Sequence, residues 1–428
     1  MLDLKPVRGM RDFYPAQMRL RQWLFDQWRE VSENFNFLPY DAPLVENLDL
    51  LKRKAGEDIA EQLYTFQDKS GRDLALRAEM TPSLARMITS RFESLSMPVK
   101  WYTIAQCFRY ERTTKGRKRE HYQWNVDILG EDSVSAEAEI ILLLVQSLKK
   151  LGLRAEQVKV KISSRNILEA LMNKLDIPPE FHQPVMMTID KKDKMSEFEF
   201  DQLISDKLPR KIDIQPIFDM FKLGSPQEIS RFMSGLKSSC CKQDQLDKYI
   251  EDLDQLIQYL NPVDDFIQID FSIVRGLAYY TGIVFEVYYQ QGKARAIAGG
   301  GRYSQLLEKI GGKPLSGVGF GFGDVVILDI LKETSNLPQV HPQIDYYIIP
   351  FEQKNLKLAF SLLDKLTQQG KRTEIDLKFR SLRNSLKDAS RDRCNFVIIL
   401  FPNEVAQNQV VVKDLIKGDE RKVNLRDL

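Results

Sequence analysis

Cysteine and histidine, which supply many metal ligands and many nucleophile–base pairs in enzymes, are both scarce in this chain. Its 428 residues include four cysteines and three histidines. The cysteines have no C-x-x-C spacing, and the histidines lie in no pattern typical of a zinc enzyme or a Ser-His-Asp hydrolase. These residues are Cys107, Cys240, Cys241, Cys394, His121, His182 and His341. The sequence therefore predicts no metal site of the His or Cys type, and the few cysteines indicate a reducing compartment.

Long apolar runs are also missing. No stretch approaches the ~18–20 apolar residues that a transmembrane helix needs, and the first residues lack the apolar core of a secretory signal. Charge is balanced, with 62 Lys and Arg against 60 Asp and Glu, although a local basic patch would still allow an RNA partner. We expect a cytoplasmic protein, not associated with membranes, whose length suffices for two or three domains.

The usual glycine signatures of nucleotide-binding folds are absent as well. The stretches AGGGRYSQLLEKIGG and GVGFGFGD match neither G-x-G-x-x-G between a strand and a helix nor G-x-x-x-x-G-K-[ST], so neither a Rossmann fold nor a P-loop is indicated. One interpretation is that these glycines let a flat ligand lie against a sheet. The alternative is that they only form tight turns between strands and helices.

Hydrophobic periodicity divides the chain into two expected domains. Residues 1–335 combine an early helix near 16–35, several strands from 61 to 130, and further strands after 262. The segments KWYTIAQCFRYE and HYQWNVDIL should pair as an antiparallel hairpin, because no crossover helix separates them. These patterns predict an α+β domain with a mixed, mainly antiparallel sheet flanked by helices. Residues 165–262 are rich in helix signals and charge, and we interpret them as a helical insertion.

A polar, proline-containing stretch at 335–343 marks the boundary of the second domain. The pattern beyond it alternates strand, helix, strand, helix and strand, and a shorter strand, VVVKDL, follows. Such alternation predicts a small α/β domain over 343–428 with a largely parallel sheet.

The hairpin carries the most informative pattern in the sequence. Because alternate residues of a strand share a face, Arg109 and Glu111 should project together, and so should Gln123, Asn125 and Asp127. The basic loop TTKGRKRE between the strands adds Lys115, Arg117, Lys118 and Arg119. Together they suit a polyanion such as a triphosphate or RNA. An ordinary exposed polar face of a half-buried sheet remains the alternative.

Two further segments carry groups suited to a ligand. In RGLAYYTGIVFEV, Arg275 could bridge a phosphate and a carboxylate, while Tyr279 and Tyr280 could equally be core aromatics with satisfied hydroxyls. In LALRAEMTPS, Glu79 and Thr81 close a strand and open a helix. There Thr81 is expected to cap the helix, with or without a role at a ligand.

Together these motifs resemble the histidyl-tRNA synthetases, a family of class II aminoacyl-tRNA synthetases. The similarity spans the chain from GMRDFYP to VVVKDLIKGDERKVNL. RGLAYYTGIVFE resembles the family's own histidine signature, FRYERTTKGRKREHYQWNVDILG resembles class II motif 2, and the segment ending at Pro43 resembles motif 1, which in this class builds the dimer interface. The resemblance implies ATP, Mg²⁺, L-histidine and histidine tRNA as substrates and cofactors, a homodimer, and an anticodon-binding C-terminal domain.

The resemblance also implies roles for individual residues. Arg109 and Arg275 would be catalytic and would hold the ATP phosphates, with Glu111 near the adenine. The residues implied to bind histidine are Glu79, Thr81, Gln123, Asp127, Tyr279 and Tyr280. The loop residues Lys115, Arg117 and Arg119 would reach the acceptor end of the tRNA. Asp127 stands where many members of the family have glutamate.

One departure from the family pattern concerns class II motif 3. That motif places an arginine early in its helix, over the ATP, whereas this chain has Val326 at the aligned position and no arginine in the helix. Ser304 also stands where aspartate is common. Arg302 is the nearby cation that could replace the missing arginine. Such losses are expected in two alternatives to an active enzyme: a regulatory subunit of ATP phosphoribosyltransferase, and a histidine sensor.

Overall fold

The computed structural model describes residues 4–54, 61–114, 116–192, 195–208, 212–236, 243–275, 280–291, 296–340, 344–391 and 393–428. Lys115, Tyr279, Cys240, Cys241 and His341 lie outside these residues. The chain forms two compact units. One comprises Met1–Asp12 and Gln22–Leu337, and the other comprises Phe13–Arg21 and Pro338–Leu428. Within the described ranges, no helix is both long and apolar enough to cross a membrane.

The first unit contains eleven of the described strands. They are β1 (Leu38–Pro39), β2 (Val45–Asn47), β3 (Tyr64–Gln67), β4 (Asp73–Leu76), β5 (Val99–Phe108), β6 (Glu120–Leu129), β7 (Val158–Ser164), β8 (Ile267–Ile269), β9 (Ile283–Tyr289), β10 (Ala298–Tyr303) and β11 (Gly317–Gly323). Eight of them form one sheet in the order β1-β5-β6-β11-β10-β9-β7-β8. Its two edge pairs are parallel and the pairings between them are antiparallel, which confirms the expected fold class.

Helices cover this sheet and form the insertion. They are α1 (Pro15–Asn34), α2 (Leu48–Lys54), α3 (Thr81–Arg91), α4 (Ser135–Lys150), α5 (Arg165–Lys174), α6 (Pro179–Ile189), α7 (Glu197–Ser205), α8 (Gln215–Met220), α9 (Pro226–Gly235), α10 (Gln243–Tyr259), α11 (Leu306–Lys309) and α12 (Asp324–Glu333). Helices α5 to α10 lie between β7 and β8, so the helix-rich segment predicted at 165–262 is helical where it is described.

The hairpin β5–β6 pairs as the sequence predicts, with Val99 opposite Leu129 and Phe108 opposite Glu120. Its apolar face packs against helices α1 and α4. Trp124 stacks on Trp28 of α1 at 5.7 Å between ring centroids, and Val126 is fully buried in the same core. Burying one face of the sheet in this way fixes the register, because a slip of one residue would turn the apolar set outward. The polar set of β6 is thereby held on the opposite face.

The second unit holds a five-stranded sheet in the order β13-β12-β14-β15-β16. Its elements are β12 (Ile344–Pro350), α13 (Leu356–Gln368), β13 (Thr373–Ile375), α14 (Leu382–Arg391), β14 (Cys394–Leu400), α15 (Pro402–Ala406), β15 (Gln409–Asp414) and β16 (Glu420–Asn424). The α/β character is confirmed, but two of the four pairings are antiparallel. The prediction of a largely parallel sheet was wrong, because the connections after β14 are too short for crossovers.

Candidate active site

Strand β11 explains the unusual alternation of glycine in GVGFGFG. Phe320 and Phe322 point into the core, while Gly319 and Gly321 face the other side of the sheet, directly opposite Asp127 and Asn125 of β6. A Cβ at residue 319 would lie 2.1 Å from Oδ1 of Asp127, and one at residue 321 would lie 1.9 Å from Nε2 of Gln123. Glycine is therefore required, because both side chains lie across β11.

The glycines thus form the floor of a cavity of about 430 Å³. Ten side chains that the sequence singled out line this one cavity: Glu79, Thr81, Arg109, Glu111, Arg117, Gln123, Asn125, Asp127, Arg275 and Tyr280. A second cavity of about 350 Å³ shares Arg109, Glu111 and Arg275 with the first. The segments that supply these residues are far apart in sequence, so the sheet is what brings them together.

Buried polar groups line part of the cavity, and some of them have a hydrogen-bond partner while others do not. The hydroxyl of Tyr303 donates to Oδ1 of Asp127 at 2.6 Å, and both side chains are buried. Burial raises the pKa of Tyr303 well above its usual value, and the neighbouring carboxylate adds to the rise. Oε1 of Gln123 and Oδ1 of Asn125 are buried without a hydrogen-bond partner among the described residues. Buried acceptors of this kind are costly unless a ligand satisfies them.

Arg275 lines the same cavity, beside Gly299 of strand β10. Its guanidinium donates to Oε1 of Glu286 at 3.0 Å and lies 5.4 Å from the ring centroid of Tyr280. Glu286 also accepts a hydrogen bond from the hydroxyl of Tyr288 at 2.5 Å. A Cβ at Gly299 would lie 1.4 Å from Arg275, so the glycine at this position makes room for the guanidinium.

Arg117 and Arg119 of the basic loop contact the residues that follow strand β5. Arg109 donates from Nε to the carbonyl of Ala78 at 3.1 Å, and Arg117 pairs with Glu111 at 2.7 Å. The guanidinium of Arg119 lies over the ring of Tyr110 at 4.0 Å and donates to the carbonyl of Glu111 at 3.3 Å. Of these loop cations, Arg117 lines the cavity, whereas Arg119 closes the base of the loop.

A buried charge cluster supports the wall of the second cavity. Arg11 donates from Nε to Oε1 of Glu120 at 2.6 Å and pairs with Asp324 at 3.0 Å. Burial raises the pKa of Asp324, although the guanidinium of Arg11 opposes the rise. His121, next to Glu120, lines this cavity. Burial, together with the charges of Arg109 and Arg11, lowers the pKa of His121 to about 3, so its imidazole is neutral.

Two expectations from the sequence are wrong. Arg302 cannot replace the motif 3 arginine, because it lies on the other face of β10, where Nε donates to Glu137 of α4 at 2.6 Å and NH1 donates to the carbonyl of Glu131 at 2.7 Å. Thr81 does not cap helix α3, because Thr81 is the first helical residue and Met80 occupies the cap position. Val326, the residue aligned with the motif 3 arginine, lines the second cavity.

Sequence reasoning missed Tyr303 and Glu286. Tyr303 follows the glycine stretch, where a buried tyrosine is an ordinary core residue, and no pattern distinguishes it from one. Glu286 does carry a signal, because it lies eleven residues after Arg275 on the strand of the same motif and shares the face of Val284 and Tyr288.

Other features lack the chemistry of this site. A cleft of about 840 Å³ lies within the insertion, lined by aromatic side chains such as Phe198 and Phe221 and by scattered charges, and it holds none of the motif residues. In the described part of the chain, no group of three or more His, Cys, Asp or Glu could hold a metal ion.

Comparison with known proteins identifies the family. The family model described as histidyl-tRNA synthetase matches residues 9–323, and an anticodon-binding domain model matches residues 345–428. The chain is 38% identical over its whole length to "Histidine--tRNA ligase, chloroplastic/mitochondrial" of Arabidopsis thaliana, covering 86% of that protein. It is 34% identical to the histidine–tRNA ligase of Pyrococcus furiosus, covering 99% of this chain and 98% of that protein.

A solved structure shares the fold over nearly the whole chain. The crystal structure of histidyl-tRNA synthetase from Nostoc sp. PCC 7120 superposes with a TM-score of 0.81 at 22% identity, covering 99% of this chain and 98% of that one. The family model alone matches well over half of the chain, and the relatives match it from end to end. This chain belongs to the histidyl-tRNA synthetase family.

Proposed function

We propose that the chain is an active histidine–tRNA ligase of protein biosynthesis. It would activate histidine with ATP and transfer it to the 3′ end of histidine tRNA. The observation that carries the proposal is the single cavity in which Arg109 and Arg275 face Asp127 and Gln123. Two fixed cations beside a set of buried hydrogen-bonding groups suit a triphosphate at one end and a small polar amino acid at the other.

In the first step, a carboxylate oxygen of histidine attacks the α-phosphorus of ATP. A P–O bond forms, the bond to the β-phosphate bridging oxygen breaks, and pyrophosphate leaves. Negative charge grows on the α-phosphoryl oxygens, so fixed cations and accurate positioning are what lower the barrier. Arg109 and Arg275 supply those cations. In the second step, a ribose hydroxyl of the terminal adenosine of the tRNA attacks the histidyl carbonyl, and AMP leaves.

Selection of histidine follows from the buried end of the cavity. The carboxylate of Asp127, held by Tyr303 at 2.6 Å, accepts from one imidazole nitrogen, and the second nitrogen is met by a hydroxyl such as that of Tyr280. Glu79, Thr81 and Gln123 lie at the same cavity and bind the amino group and its surroundings. A site built on buried polar partners rejects analogues that lack the matching groups by roughly 10⁴–10⁵-fold.

At the outer phosphates, Arg117 takes the place of the motif 3 arginine. A Cβ at Gly116 would lie 3.5 Å from Cγ2 of Val326, so the loop touches the position where the family has its cation. Arg117 lines both cavities with Glu111. Mg²⁺ would arrive with ATP, because magnesium needs only one or two protein carboxylates besides phosphate oxygens and water. Glu111 and Glu286 are the carboxylates available there, and the ion would offset phosphate charge.

The remaining partners are part of the same proposal. Residues 1–335 form the catalytic domain, with the insertion at 165–262, and residues 343–428 bind the anticodon. Lys115, Arg117 and Arg119 belong to the loop that faces the tRNA acceptor end. A cytoplasmic location agrees with the two described cysteines, Cys107 and Cys394, which are buried free thiols.

A homodimer is supported by apolar side chains exposed on edge strands. Leu38 lies on β1, the edge strand of the large sheet, and is 59% exposed. Val45 and Phe66 are also exposed, and they lie on β2 and β3, the two edge strands of a separate three-stranded sheet. Exposed apolar groups on sheet edges are typical of an interface between subunits. Sedimentation of the wild type as a dimer, and of a Leu38→Glu variant as a monomer, would test this part.

The regulatory and sensor alternatives predict a cavity that binds histidine without ATP chemistry. The presence of both arginines, of the anticodon-binding module and of full-length similarity to ligases argues against them. Histidine-dependent exchange between ATP and pyrophosphate separates the possibilities, because a regulatory protein or sensor would bind histidine and give no exchange.

Arg275→Ala tests the assignment of the phosphate cation. We expect exchange to fall by at least 10³-fold with the fold retained, because loss of one fixed donor at a developing charge costs about 10²–10³ and Arg275 is also charged. Circular dichroism and the melting temperature would report the fold. Near wild-type exchange by this variant would refute the assignment.

A further inference from the structure

Arg275 has a backbone conformation that residues with side chains rarely adopt. Its φ is +54°, in the left-handed region. For a non-glycine residue such a conformation persists only where the surrounding contacts hold the chain in place. The same residue places its guanidinium against Glu286 in the cavity. The contacts that hold its backbone therefore also decide where this cation points.

Arg165, the first residue of helix α5, supplies two of those contacts. Its NH1 donates to the carbonyl of Val274 at 3.1 Å and to the carbonyl of Arg275 at 3.4 Å. Its own backbone N–H donates to the carbonyl of Gly282 at 3.0 Å. Arg165 thus binds the chain on both sides of the segment that follows Arg275.

The environment of Arg165 indicates that its shape matters more than its charge. The residue is 4% exposed, and the acceptors of its side chain are neutral: the two carbonyls and Oε1 of Gln183 at 2.9 Å. Burial lowers the pKa of its guanidinium, and the carboxylates of Glu169 and Asp190 oppose that shift. A planar fork with several donors reaches all these acceptors at once, which neither lysine nor an apolar residue can do.

We propose that Arg165 is a positioning residue for adenylate formation, which fixes the backbone of Val274 and Arg275 so that the Arg275 guanidinium faces the reacting phosphate. The inference rests on the proposed role of Arg275 as a phosphate cation. Gln183 belongs to helix α6 of the insertion, so the same contacts fasten the insertion to the wall of the cavity. Arg165 itself lines neither cavity.

The first test is Arg165→Lys, which keeps the charge and removes the fork. We expect kcat for histidine-dependent exchange to fall tenfold or more, while KM for histidine stays within twofold, because Asp127 and Gln123 line the cavity and Arg165 does not. A matched control is Arg302→Lys, another buried arginine in the same compact unit, whose contacts lie on the face of β10 away from the cavity. It should lower the melting temperature and leave kcat within twofold. Should Arg165→Lys fail to fold, Gln183→Leu removes one partner of the guanidinium and should lower kcat in the same selective way.

The second test asks whether Arg165 acts through Arg275. Single-turnover adenylate formation is compared for Arg275→Ala and for the double variant with Arg165→Lys, with a detection limit tenfold below the Arg275→Ala rate. Equal rates are expected, because the double variant has no Arg275 guanidinium left to position. A further tenfold loss would mean that Arg165 acts independently, and would overturn the inference.

The outcomes also separate this inference from the function on which it rests. Unchanged kcat in both Arg165→Lys and Gln183→Leu, with Arg275→Ala impaired, refutes the positioning role alone. An equal rise in KM and fall in kcat, matched by Arg302→Lys, would reduce Arg165 to a structural residue. Wild-type exchange by Arg275→Ala would refute the phosphate role and the positioning role together.

Discussion

Asp127 and Tyr303 place a buried, hydrogen-bonded carboxylate in the wall of the cavity. The phenol donates to the carboxylate and orients it in a place from which water is largely excluded, with the exposed fractions of Asp127 and Tyr303 at 3% and 2%. A hydrogen bond to a charged group contributes about 1.5–3 kcal/mol when its partner is buried. Tyr303 is therefore a second group that fixes the position of the Asp127 side chain.

Tyr303→Phe should weaken histidine binding selectively. The variant leaves the Asp127 carboxylate without its phenol donor, so we expect KM for histidine to rise about 10–100-fold while KM for ATP stays within twofold. Steady-state exchange kinetics measure both constants. Tyr249→Phe, at a solvent-exposed hydrogen bond with Gln245, is the matched control and should change neither constant.

His121 makes stability depend on pH in a defined window. Its pKa of about 3 in the folded chain lies below the value of about 6.5 in an unfolded chain. Below about pH 6.5 the imidazole binds a proton in the unfolded chain but not in the folded chain. The free energy of unfolding is therefore unaffected by this histidine above that pH and decreases as the pH falls towards 3.

The expected result is a steeper loss of stability in the wild type than in His121→Gln. Between pH 6.5 and 5 the free energy of unfolding of the wild type should fall by about 1–2 kcal/mol more than that of the variant. Urea unfolding at several pH values measures the difference. Parallel curves for the two proteins would contradict the neutral, half-buried imidazole.

At the scale of elements, strand β11 serves both the core and the cavity. Its phenylalanines fill the core, and its glycines admit the side chains of the neighbouring strand β6. A methyl group at residue 319 or 321 would displace the side chain of Asp127 or Gln123, whereas one at residue 323, at the end of the strand, would displace nothing. The alternation is therefore a requirement of the site as much as of the fold.

Gly321→Ala should damage the site while leaving the sheet intact. The new Cβ would lie 1.9 Å from Nε2 of Gln123, so Gln123 must move and we expect kcat/KM for histidine to fall at least tenfold. Gly323→Ala is the control, because a Cβ at this end of the same strand would meet no atom within 4 Å. Exchange assays with matched circular dichroism spectra distinguish a local effect from misfolding.

The hairpin could be predicted from the sequence, and so could the face on which its polar residues lie. Side chains alternate between the two faces of a strand, and the apolar set must face the core. Strand β16 was missed because ERKVN is charged and mostly exposed, so it lacks the alternation that marks a strand. The side chain of Arg302 could not be placed from the sequence, because sequence does not show which face of β10 meets α4. Tyr303 joins the site through its contact with Asp127, which no local pattern encodes, whereas Glu286 could have been found from its place in the strand of the Arg275 motif.

At the scale of the whole molecule, the candidate site lies within one of the two compact units. Every described residue that lines the cavity belongs to the unit containing Gln22–Leu337. The other unit has its own hydrophobic cores, on the two faces of its five-stranded sheet. Because each unit has its own hydrophobic core, we expect the first unit to keep its fold when residues of the second are removed.

Deleting residues from 340 onward should spare adenylate formation and weaken tRNA charging. We expect histidine-dependent exchange within about threefold of the wild type, and kcat/KM for tRNA charging lower by at least 10²-fold, because the anticodon contacts are lost. Equal charging by the truncated protein would remove the anticodon role of the second unit. Loss of exchange in a protein that remains folded would mean that the two units depend on each other for chemistry.

The pairing of β6 with β11 joins residues 120–129 to residues 317–323, with the insertion between them. During synthesis the hairpin β5–β6 leaves the ribosome long before its partner strand exists, so one edge of β6 waits unpaired while about two hundred further residues are made. At 5–20 residues per second that interval lasts some ten to forty seconds. Until β11 emerges, this edge of β6 is open to pairing with other strands, so misfolding and aggregation compete with folding during that interval.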